Sequence, residues 1–217
     1  DGTATFMRGE QYVVCLALVD HGVQKVGVLG CPNLLLDAGK LREDLVDKKD
    51  YGLMLSAVEG QGASIRAMYR NGLQAPAVLI KRSEAVEPKD LCWVESLQSF
   101  SFLPEKHRRV ASALGSTWPV LDLWSMQMKY VALAVGACDV MIRIPSKQDY
   151  RPYVWDHAGG QLIFQETGGK VTDLDGKPFD FGKGRTLGKT DGWVVAIPHV
   201  HRQVLEAVNQ VRTDTKS

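Results

Sequence analysis

Apolar and polar positions follow two regimes along the chain. From Gln11 to Met68 they follow the short spacing of strands. Gln11–Val19 (QYVVCLALV) is a near-continuous apolar run, which predicts a strand buried on both faces. Asp20-His21-Gly22 predicts a turn, and Val23–Gly30 alternates as the hairpin partner until Cys31-Pro32-Asn33-Leu34 ends it. Gly52–Val58 and Ala63–Met68 predict a second hairpin around Glu59-Gly60-Gln61-Gly62. Those glycines join two strand patterns with no helix after them, so they read as a turn rather than a phosphate loop. Between the hairpins, Leu36–Tyr51 is charged and reads as a solvated insertion with a short helix, and no binding role is assigned to it.

From Leu91 onward the pattern changes to alternating strand and helix. Strands are predicted over Leu91–Glu95, Pro119–Leu123, Asp139–Pro145 and Trp193–Ile197. Helices are predicted over Pro104–Leu114, with proline in the first turn, over Ser125–Ala137, after Asp156 and continuing through Gln161–Thr167, and over Val200–Val211. Met126, Tyr130, Ala134 and Cys138 stand at i, i+4 spacing, which reads as a core stripe. Lys170–Gly176 is hairpin-like, and the polar tail from Thr213 to Ser217 reads as frayed. The resulting organisation is an antiparallel-sheet portion over 1–75, a linker over 76–89, and a second, α/β domain over 90–217.

The junction Val154-Trp155-Asp156-His157-Ala158-Gly159-Gly160 concentrates the candidate chemistry. Asp156 stands at or just before a helix start, where a carboxylate is favoured by unpaired N–H groups and the helix dipole. It can therefore be an ordinary N-cap or a metal ligand at the mouth of a phosphate site. Two successive glycines cost a helix roughly 1 kcal/mol each, so close packing at Gly159-Gly160 is expected.

Composition narrows the function classes. The chain has 217 residues, 45% hydrophobic and 24% charged, with a formal net charge of +1. That balance gives no electrostatic reason to expect a nucleic-acid polymer or a membrane surface as partner. No apolar run approaches the roughly 20 residues that span a bilayer, and no signal peptide is recognisable. Cys15, Cys31, Cys92 and Cys138 lack C-x-x-C spacing and read as reduced core thiols of a cytoplasmic protein. The chain begins at Asp1-Gly2-Thr3 without a methionine, which is the expectation for a processed product or a piece of a longer protein.

Asp1-Gly2-Thr3, Phe6-Met7-Arg8-Gly9-Glu10-Gln11, Gly30-Cys31-Pro32-Asn33-Leu34 and Trp155-Asp156-His157-Ala158-Gly159 together resemble the 3′(2′),5′-bisphosphate nucleotidases. These belong to the magnesium-dependent, lithium-sensitive phosphatase superfamily that includes inositol monophosphatase. Lys129-Tyr130, Arg143 with Pro145, Glu166-x-Gly168-Gly169, Thr172-Asp173 and Asp180-Phe181-Gly182-Lys183-Gly184-Arg185 extend the match in order over nearly the whole chain. The resemblance implies a layered αβαβα sandwich, with residues 1–75 forming the C-terminal part of the metal-site domain.

The resemblance also implies roles. Asp1 and Asp156 match metal ligands for two or three magnesium ions. Thr3 matches the residue that, with an upstream aspartate, orients the attacking water, and the backbone of Gly2 and Thr3 holds the scissile phosphate. Lys129 and Arg143 match contacts to the nucleotide's phosphates; for Arg143 a surface ion pair is the alternative. His157 is read as a structural hydrogen-bonding residue. Two positions depart from the pattern. Ser125-Met126 stands where Asp-Ser is usual, and Gln98-Ser99 where a nucleotide-contacting histidine is frequent. These departures imply a family phosphatase with shifted substrate choice, acting on a bisphosphate nucleotide such as adenosine 3′,5′-bisphosphate or on a related small phosphate ester. The alternatives are an inositol-phosphate or specialised-metabolite phosphatase and an inactive phosphate-binding relative. The expected partners are a small phosphorylated substrate and an N-terminal segment, covalent or cleaved, carrying the remaining acidic ligands.

Overall fold

The computed structural model describes residues 1–37, 39–49, 51–73, 76–82, 86–99, 103–146, 150–188 and 190–213. After a short helix α1 (Thr3–Met7), strands β1 (Val14–Asp20), β2 (Val23–Cys31), β3 (Leu53–Val58), β4 (Ala63–Ala67) and β5 (Val78–Leu79) form an antiparallel sheet in sequence order. The first hairpin closes through His21 and Gly22, both at positive φ (49° and 80°), the geometry that a tight two-residue turn requires. The second hairpin closes through Glu59–Gly62. There the Glu166 carboxylate accepts the amides of Gly60 (2.8 Å) and Gly62 (2.7 Å), so the glycine pair is a turn pinned by a distant side chain. β5 lies within the stretch expected as linker and pairs with Ser64 and Ile65 of β4. Gln74, Ala75 and Ser83–Ala85 of that stretch, and Asp214–Ser217 of the tail, lie outside the described residues.

The second half supplies β6 (Trp93–Glu95), α2 (Pro104–Ala113), β7 (Val120–Asp122), α3 (Met126–Val135), β8 (Val140–Arg143), α4 (Ala158–Glu166), β9 (Lys170–Asp173), β10 (Trp193–Ala196) and α5 (Pro198–Thr213). The second sheet has the order β7-β6-β8-β10-β9. It is parallel where β6 meets β7 and β8, and antiparallel around β10. Helices α3 and α4 fill the space between the sheets, where Leu29 and Leu55 from one sheet and Met141 and Val195 from the other share one core with Met128, Leu133 and Phe164. On the far face of the second sheet, Val140, Ile142, Val194 and Ala196 pack with Val110 of α2 and Val204 and Val208 of α5. Strand alternation thus divides β8 and β10 between two cores, and both strands are buried throughout.

The layers run sheet, helices, sheet, helices. Relative to the expected αβαβα sandwich, a helical layer on the outer face of the first sheet is absent among the described residues. β1 is accordingly not buried on both faces as its apolar run predicted: Val14, Leu16 and Leu18 are 63%, 66% and 56% exposed. Their register partners Gly30, Val28 and Val26 carry the same apolar face onto β2. A continuous apolar run reports only that both faces of a strand can be buried; whether they are depends on what is laid across them. The charged 36–51 segment forms no helix among the described residues, and is tied down by bridges Leu34–Val46 and Asp37–Lys40 with Leu41 buried.

Close packing explains the glycine pair. A Cβ on Gly159 would lie 3.2 Å from the carbonyl oxygen of Leu16, and one on Gly160 would lie 2.6 Å from Tyr130 Cβ and overlap the Gln127 side chain. The glycines thus press α4 against the first sheet and against α3.

Gly160→Ala is expected to lower stability by about 1–3 kcal/mol in urea denaturation, because steric overlap outweighs alanine's helix preference of about 1 kcal/mol. Leu55→Ala, at a fully buried site, is expected to cost about 2–5 kcal/mol, against less than about 0.5 kcal/mol for Leu16→Ser. Similar losses at Leu55 and Leu16 would contradict the exposure of β1.

Candidate active site

The site is built on the N-terminus of α3. Ser125 is the N-cap, its hydroxyl oxygen accepting the amide of Met128 while the hydroxyl donates to Asp1 Oδ2 at 2.7 Å. The amide of Gln127 donates to the same oxygen at 2.8 Å. A carboxylate is thereby seated where the helix dipole and unpaired amides favour negative charge. The amide of Gly2 donates to Asp1 Oδ1 (2.8 Å), and the Asp1 ammonium donates to the Val13 carbonyl (2.7 Å). Gly2 sits at φ 90°, and a Cβ there would approach Thr5 Oγ1 to 2.8 Å, so no other residue fits the turn without strain.

Asp156 ends a single 3₁₀ turn, Val154–Asp156, and α4 begins two residues later. The N-cap of α4 is His157, and no side chain of the N-cap residue bonds the helix. The Asp156 carboxylate is therefore not the ordinary N-cap that its sequence position permitted. Burial pushes its pKa upward, opposed by the Asp1 ammonium and by Lys129. Gln127 brings Asp1 and Asp156 into one neighbourhood although they are far apart in sequence: its main-chain amide holds Asp1 Oδ2, and its side chain donates to the carbonyl of Trp155, the residue before Asp156. Cys15 lies in the same neighbourhood; burial raises its thiol pKa, the Asp1 ammonium opposes the rise and Asp156 adds to it.

Two buried cations belong to the same part of the molecule. Lys129 is 1% exposed and donates to the carbonyls of Trp124 (3.0 Å) and Ser125 (3.4 Å). Burial, and then the nearby Arg143 guanidinium, push its pKa down to about 7. Arg143 is buried at the end of β8 with its guanidinium 5.6 Å from the Trp193 ring centre, so the surface ion-pair alternative does not describe it. His157 is fully enclosed. Its Nδ1 meets the Tyr130 hydroxyl at 2.9 Å, and its ring stands edge-on to Trp193 and Phe179. Burial holds it neutral, with a pKa lowered to about 3, which fits the structural role expected of it.

The remaining expected residues flank this centre. Thr3 is exposed at the start of α1. The Gly2 amide is already given to Asp1, so a phosphate would have to compete with that carboxylate for it. Met126 is half-buried against the central core, and Gln98 is exposed in the turn after β6. Gln98 lines a cavity of about 330 Å³ with Arg8, Glu10, Glu43, Asp122 and Trp124. Glu43 comes from the segment to which no role was assigned, and its carboxylate accepts the Trp124 amide at 2.6 Å. The sequence reading also missed Gln127. The signal available was Ser125 before an apolar helical run, an N-cap pattern that marks an anion-accepting helix end.

Among the described residues no group of three or more His, Cys, Asp or Glu side chains converges on a common point. Asp1 and Asp156 nevertheless offer two hard-oxygen carboxylates. Magnesium is commonly held by one or two carboxylates together with water and substrate phosphate, so the donor set fits one such ion.

Residues 1–213 match the model of the inositol monophosphatase family. A 3′(2′),5′-bisphosphate nucleotidase of Emericella nidulans is 38% identical over 97% of this chain and 61% of its own length. One from Schizosaccharomyces pombe is 35% identical over 97% of this chain and 58% of its own. This chain thus spans about three fifths of the length of these curated relatives. Among solved structures, a calcium-bound protein of the inositol monophosphatase family from Staphylococcus aureus superposes with a TM-score of 0.61 at 18% identity, covering 96% of this chain and 64% of that one. At that identity the likeness speaks for the fold.

Lys129 is expected to lose its charge as pH rises through about 7. Sulfate, a dianion at every pH used, should therefore bind up to about tenfold more weakly at about pH 8 than at about pH 6. Titration calorimetry would check this; Lys129→Met should abolish the dependence, and an unchanged pH profile in that variant would assign it elsewhere.

Proposed function

The chain belongs to the inositol monophosphatase family, and from that premise we propose that it carries the catalytic centre of a magnesium-dependent phosphoric monoester hydrolase. Its substrate class is a 3′(2′),5′-bisphosphate nucleotide, such as adenosine 3′,5′-bisphosphate, or a related small phosphate ester. The observation that carries this reading is the seating of Asp1 on the α3 N-terminus, in one neighbourhood with Asp156 and with buried Lys129 and Arg143. Acidic oxygens together with cationic groups suit a divalent cation bridged to a phosphate ester.

In this reading Asp1 and Asp156 hold magnesium, and Gly2 and Thr3 approach the scissile phosphate. The Thr3 hydroxyl, with an acidic partner, orients the attacking water. The cation supplies neutralisation of the charge that builds on the phosphoryl group. Lys129 and Arg143 hold a second, non-reacting phosphate, whose attraction grows in a site shielded from water. Gln98 and Met126 line the rest of the substrate pocket. Two or three ions need more acidic ligands than this pair, so a further segment, joined to this chain or separate from it, supplies them. The exposed apolar face of β1 and β2 supports such a segment packing on the first sheet. Four free thiols support a reducing, cytoplasmic setting, and no helix among the described residues is long and apolar enough to cross a membrane.

A second reading, hydrolysis of an inositol phosphate or another small phosphomonoester, is favoured by Met126, a thioether where relatives are expected to place a hydroxyl. A substrate panel scored by phosphate release, run with the proposed further segment present, separates the two. Adenosine 3′,5′-bisphosphate turned over as well as or better than simple phosphomonoesters would remove the shifted-specificity reading. Activity should require magnesium and fall with millimolar lithium, and Asp156→Asn should lower it at least about 100-fold. No magnesium-dependent release from any substrate would leave a phosphate-binding relative instead.

A further inference from the structure

Gln127 is a fully buried glutamine whose main-chain amide and two side-chain polar atoms are each engaged by a different part of the site. Its main-chain amide holds Asp1 Oδ2 at 2.8 Å. Its side-chain Nε2 donates to the carbonyl of Trp155 at 2.8 Å, and its Oε1 accepts the amide of Gly160 at 2.9 Å. Trp155 immediately precedes Asp156, and Gly160 is the third residue of α4. One planar amide therefore spans the 3₁₀-to-α junction from which Asp156 projects.

The bonding pattern has a specific consequence for Asp156. The first amides of a helix need acceptors, usually the N-cap side chain. In α4 the N-cap residue His157 provides none, its ring being turned to Tyr130. Gln127 Oε1 takes that role for the third amide from another helix, and Gly160 leaves the room for it. Asp156 is thereby spared from capping, and its carboxylate stays available to a ligand. The same residue's backbone fixes the orientation of Asp1.

We propose that Gln127 is a positioning residue: a strut from α3 that sets the separation and orientation of the Asp1 and Asp156 carboxylates, and so the affinity of the site for a divalent cation. The inference rests on the reading of Asp1 and Asp156 as cation ligands. Groups that orient metal ligands typically change metal affinity by about 10–100-fold when removed.

The test is binding of Tb³⁺, an oxygen-seeking stand-in for magnesium, followed by emission sensitised through the neighbouring Trp155. Wild-type protein should show saturable emission that magnesium displaces and that Asp156→Asn abolishes. Gln127→Met, of similar shape but without the side-chain bonds, should need at least about tenfold more Tb³⁺ for half-saturation. Gln127→Glu keeps an acceptor for Gly160 and loses the donor to Trp155. It too should bind more weakly, although its added negative charge alone would strengthen cation binding. Val208→Ala, in the distant α5 core, should lower thermal stability and leave Tb³⁺ affinity within about twofold. Should Gln127→Met not fold, Gln127→Glu decides. A folded Gln127 variant with wild-type affinity, or equal weakening by Val208→Ala, overturns the strut. Wild-type protein without displaceable emission overturns the metal-site reading itself, and the strut with it.

Discussion

The site depends on one electrostatic arrangement, a carboxylate held at the N-terminus of a buried helix. Asp1 Oδ2 takes two hydrogen bonds from the first turn of α3, one from the Ser125 hydroxyl and one from the Gln127 amide. These bonds satisfy donors that a helix end otherwise leaves unpaired. Because α3 is buried along nearly its whole length, from Gln127 to Ala134, it cannot shift without disturbing both sheets. The position of Asp1 is therefore tied to the central core.

The core in turn is set by close approach. Glycines at 27, 159 and 160 let α4 lie nearly backbone to backbone on β2 and against α3. The outcome is a thin middle layer in which polar groups bridge elements. Glu166 pins the distant β3–β4 hairpin, and Arg82 donates to the carbonyls of Leu133 and Cys138 at the end of α3 while pairing with Asp139. Each of these groups is held by several partners, as burial of a charged or polar side chain demands. Lys129 is the exception in kind. It donates to two backbone carbonyls, and burial together with the nearby Arg143 guanidinium outweighs the pull of Glu95, Glu43 and Asp122 on its charge.

The local pattern of the sequence determined the element types and most of their bounds. The His21-Gly22 hairpin, the strands on either side of it, α2, α3, β8, β10 and α5 lie where periodicity, turn residues and proline or glycine punctuation put them. The ordered motifs were equally legible. Asp1-Gly2-Thr3 and the stretch around Asp156 carry the resemblance to the 3′(2′),5′-bisphosphate nucleotidases of the inositol monophosphatase superfamily, and the glycine pair announced close packing. These features are local: a dihedral preference, a side-chain alternation or a short run of residue types suffices to specify them.

Only the tertiary structure decided how those pieces are used. It left one face of β1 to solvent, because burial depends on a neighbouring layer that hydrophobicity cannot name. It placed a 3₁₀ turn before α4, which removed Asp156 from the N-cap. It drew Glu43 out of a charged loop onto the Trp124 amide, and made Gln127 the link between Asp1 and the Asp156 turn. Hydrogen bonds between residues tens of positions apart leave no mark on local periodicity. A buried glutamine inside a helix reads as an ordinary polar residue until the chain brings its three partners to it.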